Sequence, residues 1–213
     1  MSHALAPGAT PRLWLVRHAQ PLVAPGTCYG ALDVAADAAA TQAIAARLAA
    51  ALPAQARVAC STLQRCKQLA QRLHALRPDL APQPDDRLRE MDFGSWEGRA
   101  WDTIARADID AWANDFAMGR PGGGENLAEV LARVAAALRS HAHNTAPLQD
   151  VVWITHAGVI RCVGWLQAHG DAQMPRSEDW PLAAPSWGAW DTVPLAPPGH
   201  AQQSAVERVQ TGA

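Results

Sequence analysis

A chain of 213 residues, 49% of them hydrophobic, is long enough to bury a core as one globular unit and has the composition of an ordinary domain. Eighteen Lys and Arg against 20 Asp and Glu leave a formal charge of -2 with no basic stretch, which excludes a nucleic-acid or membrane surface as the basis of function and points to a small-molecule partner. Residues 1–11 have neither a charged nor an apolar leader region, no run approaches the roughly 18 apolar residues of a membrane span, and Cys28, Cys60, Cys66 and Cys162 form no C-x-x-C pair, so a soluble, cytoplasmic protein with reduced thiols is expected.

Residues 12–16, R-L-W-L-V, form a short apolar run ending at Arg17 and His18, the pattern of a buried strand that delivers its carboxyl end to a site. Residues 34–52 are Ala-rich with Ile44, Leu48 and Leu52 at i, i+4 and i+8, which predicts an amphipathic helix stopped by Pro53. A second strand is expected over 57–60, after which Ser61 and Thr62 supply an N-cap before Leu63, Cys66, Leu69 and Leu73 at helical spacing. Residues 84–124 break this rhythm. Pro84, Gly94, Gly98, Pro121 and three consecutive glycines from Gly122 interrupt any long element, so loops and short helices covering the site, with a possible lid, are expected there. The glycines lack the Lys-Ser/Thr of a phosphate loop and lead instead into a helix over 125–143, with Glu125 in its first turn and Leu127, Val130, Leu131, Val134 and Leu138 as its apolar stripe. Residues 151–155, V-V-W-I-T, predict a third strand ending at His156, and a helix follows to about 169. The tail from Pro175 contains one more strand candidate at 190–193, and its last dozen residues are expected to be poorly ordered. Strand and helix alternate throughout, which predicts an α/β three-layer sandwich. Its central sheet is mostly parallel and flanked by helices, in a single domain over 1–213 with a core of about 12–170 and a tail of about 175–213.

Three predicted strands thus run into polar groups: Arg17 and His18, then Arg65 one helical turn after Ser61, then His156. Ligands of open α/β sheets bind at the carboxyl ends of strands, where two guanidinium groups and two imidazoles make an anion site. Arginine suits a phosphoryl group because its planar fork gives bidentate, charge-assisted bonds. A histidine with a pKa of about 6.5 is largely neutral at pH 7, so the ring of His18 can attack phosphorus without a separate base. An alkoxide leaving group needs a proton, and Glu90 in L-R-E-M-D-F-G-S-W-E-G is the first candidate for the acid, with Asp92 and Glu97 as competitors.

Four ordered motifs carry a resemblance: L-V-R-H-A-Q-P at 15–21, S-T-L-Q-R-C at 61–66, L-R-E-M-D-F-G-S-W-E-G at 88–98 and T-H-A-G-V-I-R at 155–161. Together they are similar to the histidine phosphatase superfamily, which includes phosphoglycerate mutases, over most of residues 12–169. The resemblance implies a phosphoglycerate mutase-like fold with His18 phosphorylated, Arg17 and Arg65 as phosphate ligands, His156 as the second histidine and Glu90 as proton donor. It also implies that no metal or organic cofactor is needed. The family's first motif usually reads Arg-His-Gly-Glu, whereas Ala19 and Gln20 stand here. Ala19 adds only a methyl group, tolerable where the backbone is not left-handed, and Gln20 removes a carboxylate beside the site. The stretch G-T-C-Y-G-A-L-D at 26–33, with the 88–98 run, most resembles α-ribazole phosphatases of cobalamin nucleotide-loop assembly and implies that Thr27 contacts phosphate.

The expected activity is therefore a metal-independent phosphomonoesterase acting through phosphohistidine on a small phosphorylated metabolite, with α-ribazole 5'-phosphate as first choice. The alternatives are a cofactor-dependent phosphoglycerate mutase, disfavoured by the missing longer insertion, and a catalytically silent phosphate-binding protein, which intact His18, Glu90 and both arginines argue against. Arg161 is expected outside the site, and His141 and His143 at a solvated helix end. Trp14, Trp153 and Trp165 are expected in the core, while Trp96, Trp101, Trp187 and Trp190 are candidates to line a pocket and stack on a flat base.

Overall fold

A computed structural model of the chain describes residues 11–143 and 149–195. Its strands are β1 (Arg12–Arg17), β2 (Arg57–Cys60), β3 (Gln83–Pro84), β4 (Val151–Thr155) and β5 (Trp190–Pro194), joined in one sheet of order β3-β2-β4-β1-β5. All neighbours are parallel except β5, which runs antiparallel to β1. The helices are α1 (Ala38–Ala51), α2 (Gln64–Leu76), α3 (Arg106–Asn114), α4 (Leu127–His143) and α5 (Ala157–His169).

Alternation along the strands sorts the helices onto two faces. Trp14 and Val16 of β1, Val58 and Cys60 of β2, and Val152 and Ile154 of β4 pack with Ile44 and Leu48 of α1 and Leu69 and Leu73 of α2. The intervening residues Leu13, Leu15, Ala59, Val151 and Trp153 pack on the other side with α4 and α5, through residues such as Val134, Leu138, Val159 and Val163. β4 is buried at all five positions, as a central strand covered on both faces must be. Each fully buried Leu, Ile or Val contributes roughly 1.5–3 kcal/mol, so this double burial is the main source of stability.

The helix starts differ from expectation because side chains outside the helices set them. Asp37 caps α1 by accepting from Ala40 N at 2.7 Å, so the helix begins at Ala38 rather than 34. Ser61 and Thr62 do not cap α2: Leu63 occupies the N-cap, and Gln64 N donates to Asp33 from the loop after β1. Glu125 lies outside α4. Asn126 Oδ1 accepts from Glu129 N at 2.8 Å and Glu129 returns a bond to Asn126 N at 3.2 Å, a capping box that starts the helix at Leu127. Gly122 and Gly124 pack instead against residues 92–95, where a Cβ on Gly122 would lie 2.2 Å from Phe93 O. Residues 84–124 hold short 3₁₀ turns and α3, in keeping with the loops and short helices expected there. His141 is not solvated; it packs against the Trp153 ring at 5.6 Å and lies 3.6 Å from Asp85. The expected disorder of the last dozen residues lies outside the described residues. Among the described residues no helix is long and apolar enough to cross a membrane.

Asp150 fastens the middle of this sheet where β1 and β4 begin. Its buried carboxylate accepts from Arg12 N at 2.9 Å, Arg12 Nε at 3.0 Å and Trp14 Nε1 at 2.9 Å, tying the start of β1 to the residue before β4. Asp150→Ala leaves these donors unpaired and is expected to lower the unfolding free energy by about 2–4 kcal/mol, with a smaller loss for Asp150→Asn, read from urea midpoints. Equal midpoints for wild type and Asp150→Ala contradict this role.

Candidate active site

Because β2, β4 and β1 are parallel neighbours, their carboxyl ends bring three chain segments together. Arg17 ends β1 and His18 follows it; His156 follows β4; Ser61 follows β2, with Arg65 in the first turn of α2. The His18 backbone is fixed by donation of its N–H to Thr155 O at 3.1 Å and by Gly188 N donating to its carbonyl at 3.0 Å.

The His18 ring is buried, with Nδ1 2.6 Å from Ala19 O. A carbonyl accepts only from a protonated nitrogen, so this contact selects the neutral tautomer with its lone pair on Nε2, and Arg65 Nε donates to that atom at 3.3 Å. Burial first, and the Arg65 charge second, lower the His18 pKa to about 3. A neutral imidazole presenting an oriented lone pair is a nucleophile.

Arg65 is fully buried, and its guanidinium is held by two backbone carbonyls, Leu32 O at 2.8 Å and Gly30 O at 2.6 Å. The loop bearing those carbonyls is itself held by Glu97, whose carboxylate accepts from Gly30 N at 2.9 Å, Ala31 N at 2.8 Å, Leu32 N at 3.1 Å and Phe93 N at 2.9 Å. Glu97 is thus an organiser of the loop, and Asp92 accepts from Gly94 N at 2.8 Å; neither lines the cavity beside His18. Glu90 does line it. Its Oε2 accepts from Gly158 N at 3.0 Å at the start of α5, an approach open only to glycine, since a Cβ there would lie 2.2 Å from Oε1. The segment before Glu90 is pinned by Arg133, which donates to Arg87 O at 2.8 Å and Arg89 O at 2.6 Å, and by Thr155 Oγ1, which donates to Leu88 O at 2.8 Å.

The cavity measures about 440 Å³, and Arg17, His18, Thr27 and Glu90 are all on its wall. Arg65 and His156 lie behind His18 and do not line it. The His156 ring sits 5.1 Å from that of His18, with Nε2 2.7 Å from Ser61 Oγ, and burial together with the Arg65 charge holds its pKa well below the ordinary value. Arg17 donates to Pro185 O at 3.0 Å and lies over the Trp187 ring at 5.4 Å, while its Nε is buried without a hydrogen-bond partner. Burial lowers the Arg17 pKa, opposed by Tyr29 and Glu90. Ala19 is buried without a left-handed backbone; among the described residues Gln55 is the one non-glycine with positive φ. Gln20 is exposed.

Sequence reasoning missed Arg161 and Tyr29, which share the cavity wall. The signal for Arg161 is its spacing: Ala157, Gly158 and Arg161 at i, i+1 and i+4 fall on one face of α5. The aromatic assignment also changes. Trp96 is buried, Trp190 packs against Trp14 and Trp187 lies against Arg17, so of the four candidates only Trp101 lines the cavity, joined there by Trp112 and Trp180.

The sequence profile of the histidine phosphatase superfamily (branch 1) matches residues 13–191. The chain belongs to this superfamily. It is a phosphoric monoester hydrolase of the histidine phosphatase type. Solved structures agree in fold: a mycobacterial glucosyl-3-phosphoglycerate phosphatase, 25% identical, is matched over 86% of this chain and 90% of that one with a TM-score of 0.70. The protein TTHB049 from Thermus thermophilus, 28% identical, is matched over 85% and 92% with a TM-score of 0.63. A structure described as mycobacterial hydrolase 1, 25% identical, is matched over 85% and 88% at 0.70. No curated protein matches the chain.

The buried neutral histidines make a pH prediction. His18 and His156 have lowered pKa values in the fold, whereas the unfolded chain takes up protons near 6.5, so stability is complete above that pH and declines as pH falls toward the folded values. At pH 5 each is expected to remove about 2 kcal/mol relative to pH 8. Urea denaturation at both pH values should therefore show a drop smaller by about 2 kcal/mol in His156→Gln than in wild type; an identical drop contradicts a neutral His156.

Proposed function

We propose that the chain hydrolyses a phosphate monoester in two steps through a phosphohistidine at His18, with arginines in place of a metal. The observation that carries this is the His18 ring, held neutral with its Nε2 lone pair beside a cationic donor and its edge on the cavity wall. In the first step Nε2 forms a bond to phosphorus as the ester P–O bond breaks, and Glu90 gives its proton to the leaving oxygen. In the second, water attacks phosphorus and returns a proton to Glu90, the N–P bond breaks, and inorganic phosphate leaves with His18 neutral again.

The cationic groups stabilise the charge on the transferring phosphoryl oxygens. Arg17 presents a buried Nε without a protein partner, and the Arg65 Nε that meets His18 Nε2 passes to a phosphoryl oxygen when phosphorus takes that lone pair. Thr27, on the cavity wall, adds a phosphate contact implied by the resemblance. His156, which the resemblance also implies, is buried 5.1 Å from the His18 ring and off the wall, and would reach phosphate only once the phosphoryl group sits on His18. Glu90 is, among the described residues, the carboxylate on the cavity wall, which supports it as the acid.

The finer reading is an α-ribazole 5'-phosphate phosphatase of cobalamin biosynthesis, supported by the likeness of residues 26–33 and 88–98 to that family. Four buried, unpaired thiols fit a reducing, cytoplasmic setting. The phosphatases among the structural relatives do not favour the mutase alternative.

Phosphate release from 4-nitrophenyl phosphate and from α-ribazole 5'-phosphate in excess EDTA tests this. Activity is expected to persist in chelator and to disappear in His18→Asn. Glu90→Gln should slow the first step about 10²–10⁴-fold for the ribazole ester and far less for the nitrophenyl ester, whose leaving group needs no proton. Activity that is lost in EDTA, or retained in His18→Asn, overturns the mechanism.

A further inference from the structure

Resting on that hydrolase reading, we propose that the site selects phosphate monoesters whose organic part carries a flat aromatic ring, and disfavours polyol phosphates. The wall beyond His18 is built from Phe93, Trp101, Trp112, Phe116 and Trp180, with Leu127 and Val130 of α4 beneath them. Among the described residues that line the cavity, none is Asp, Asn, Gln, Lys or Ser.

The rings come from four places in the chain: the 3₁₀-rich segment before α3, α3 itself, the turn after it, and the tail before β5. They lock one another edge to face, Phe93 with Trp101 at 5.6 Å and 85°, Phe93 with Trp112 at 6.0 Å and 89°, and Phe116 with Trp180 at 5.9 Å and 63°. None of the five is buried, although each has apolar neighbours, so ring area faces the cavity. Uncovered aromatic area inside a concave pocket is unfavourable in water and is covered by a ligand of matching chemistry.

The charged side chains on the wall are few. Arg17, Glu90 and Arg161 are the ionic groups on the wall, and Arg17 feels the field of both others. A phosphoryl group at His18 therefore places the ester's organic part against rings that offer it stacking and few hydrogen bonds. A sugar alcohol set there loses water from several hydroxyls and finds few replacement partners among the rings, the Trp112 Nε1 donor being one. α-Ribazole 5'-phosphate is one member of the favoured class, and the wall itself specifies only a flat ring.

The test compares 2-(1-naphthyl)ethyl phosphate with glycerol 3-phosphate, both esters of alkyl alcohols, so that preference reports the organic part rather than leaving-group acidity. A ratio of kcat/KM of about 30 or more in favour of the naphthyl ester is expected. That ratio should fall about fivefold or more in Trp180→Leu and in Trp112→Leu, which keep apolar volume and remove the ring. Glycerol phosphate turned over equally well, with activity abolished by His18→Asn, overturns ring selection and leaves the hydrolase reading standing. If neither ester is turned over, calorimetric titration with 2-(1-naphthyl)ethyl phosphonate decides the inference, while 4-nitrophenyl phosphate turnover reports separately on the hydrolase reading: binding weakened by Trp180→Leu supports the inference, and no binding overturns it.

Discussion

A guanidinium with no solvent exposure is the constraint around which the site is organised. Burying an unpaired charge is prohibitive, so the Arg65 side chain has to be satisfied within the protein, and its partners are the carbonyls of Gly30 and Leu32 and the lone pair of His18. Two carbonyls aimed at one cation require a tightly curved loop, and the outward-pointing N–H groups of that loop are gathered by the Glu97 carboxylate. A negative charge on one side of the loop and a positive charge on the other polarise its peptides in the same sense. The third donor of Arg65 then falls on His18 Nε2, which together with the Ala19 carbonyl at Nδ1 leaves the ring one protonation state and one orientation.

The sheet makes this arrangement possible by placing β4 between β1 and β2. That order sets His156 between the segments carrying His18 and Ser61 and lets Ser61 Oγ reach its ring. Glu90 arrives from a different direction, carried by the segment after β3 and fixed by Arg133 of α4, Thr155 of β4 and the first turn of α5. Glu90 and His18 are thus held by separate supports, and both line the same cavity.

Much of this was legible in the sequence because it rests on local pattern. The strands at 57–60 and 151–155 and the helix to 169 follow from short apolar runs and helical spacing, and the R-H and T-H pairs stand where those runs meet polar residues. Legibility ends where side chains act across long separations. Nothing local tells that Asp33 rather than Ser61 serves the start of α2, that Glu97 organises residues 30–32, or that the Arg65 fork turns toward carbonyls. The aromatic wall was misassigned for the same reason. Trp96 and Trp112 sit in equally irregular sequence, and only the packing of α3 against the 3₁₀ turns decides which of them is buried and which faces the cavity.

Phosphohistidine chemistry is tested most directly by mass spectrometry of Glu90→Gln quenched in base during turnover of an aryl phosphate. Its first step needs no acid and its second has lost its base, so the intermediate accumulates. Phosphoryl mass on the peptide containing His18, absent from His18→Asn, is the expected result. An unmodified peptide at all times, or phosphoryl mass on His156 instead, contradicts His18 as the nucleophile.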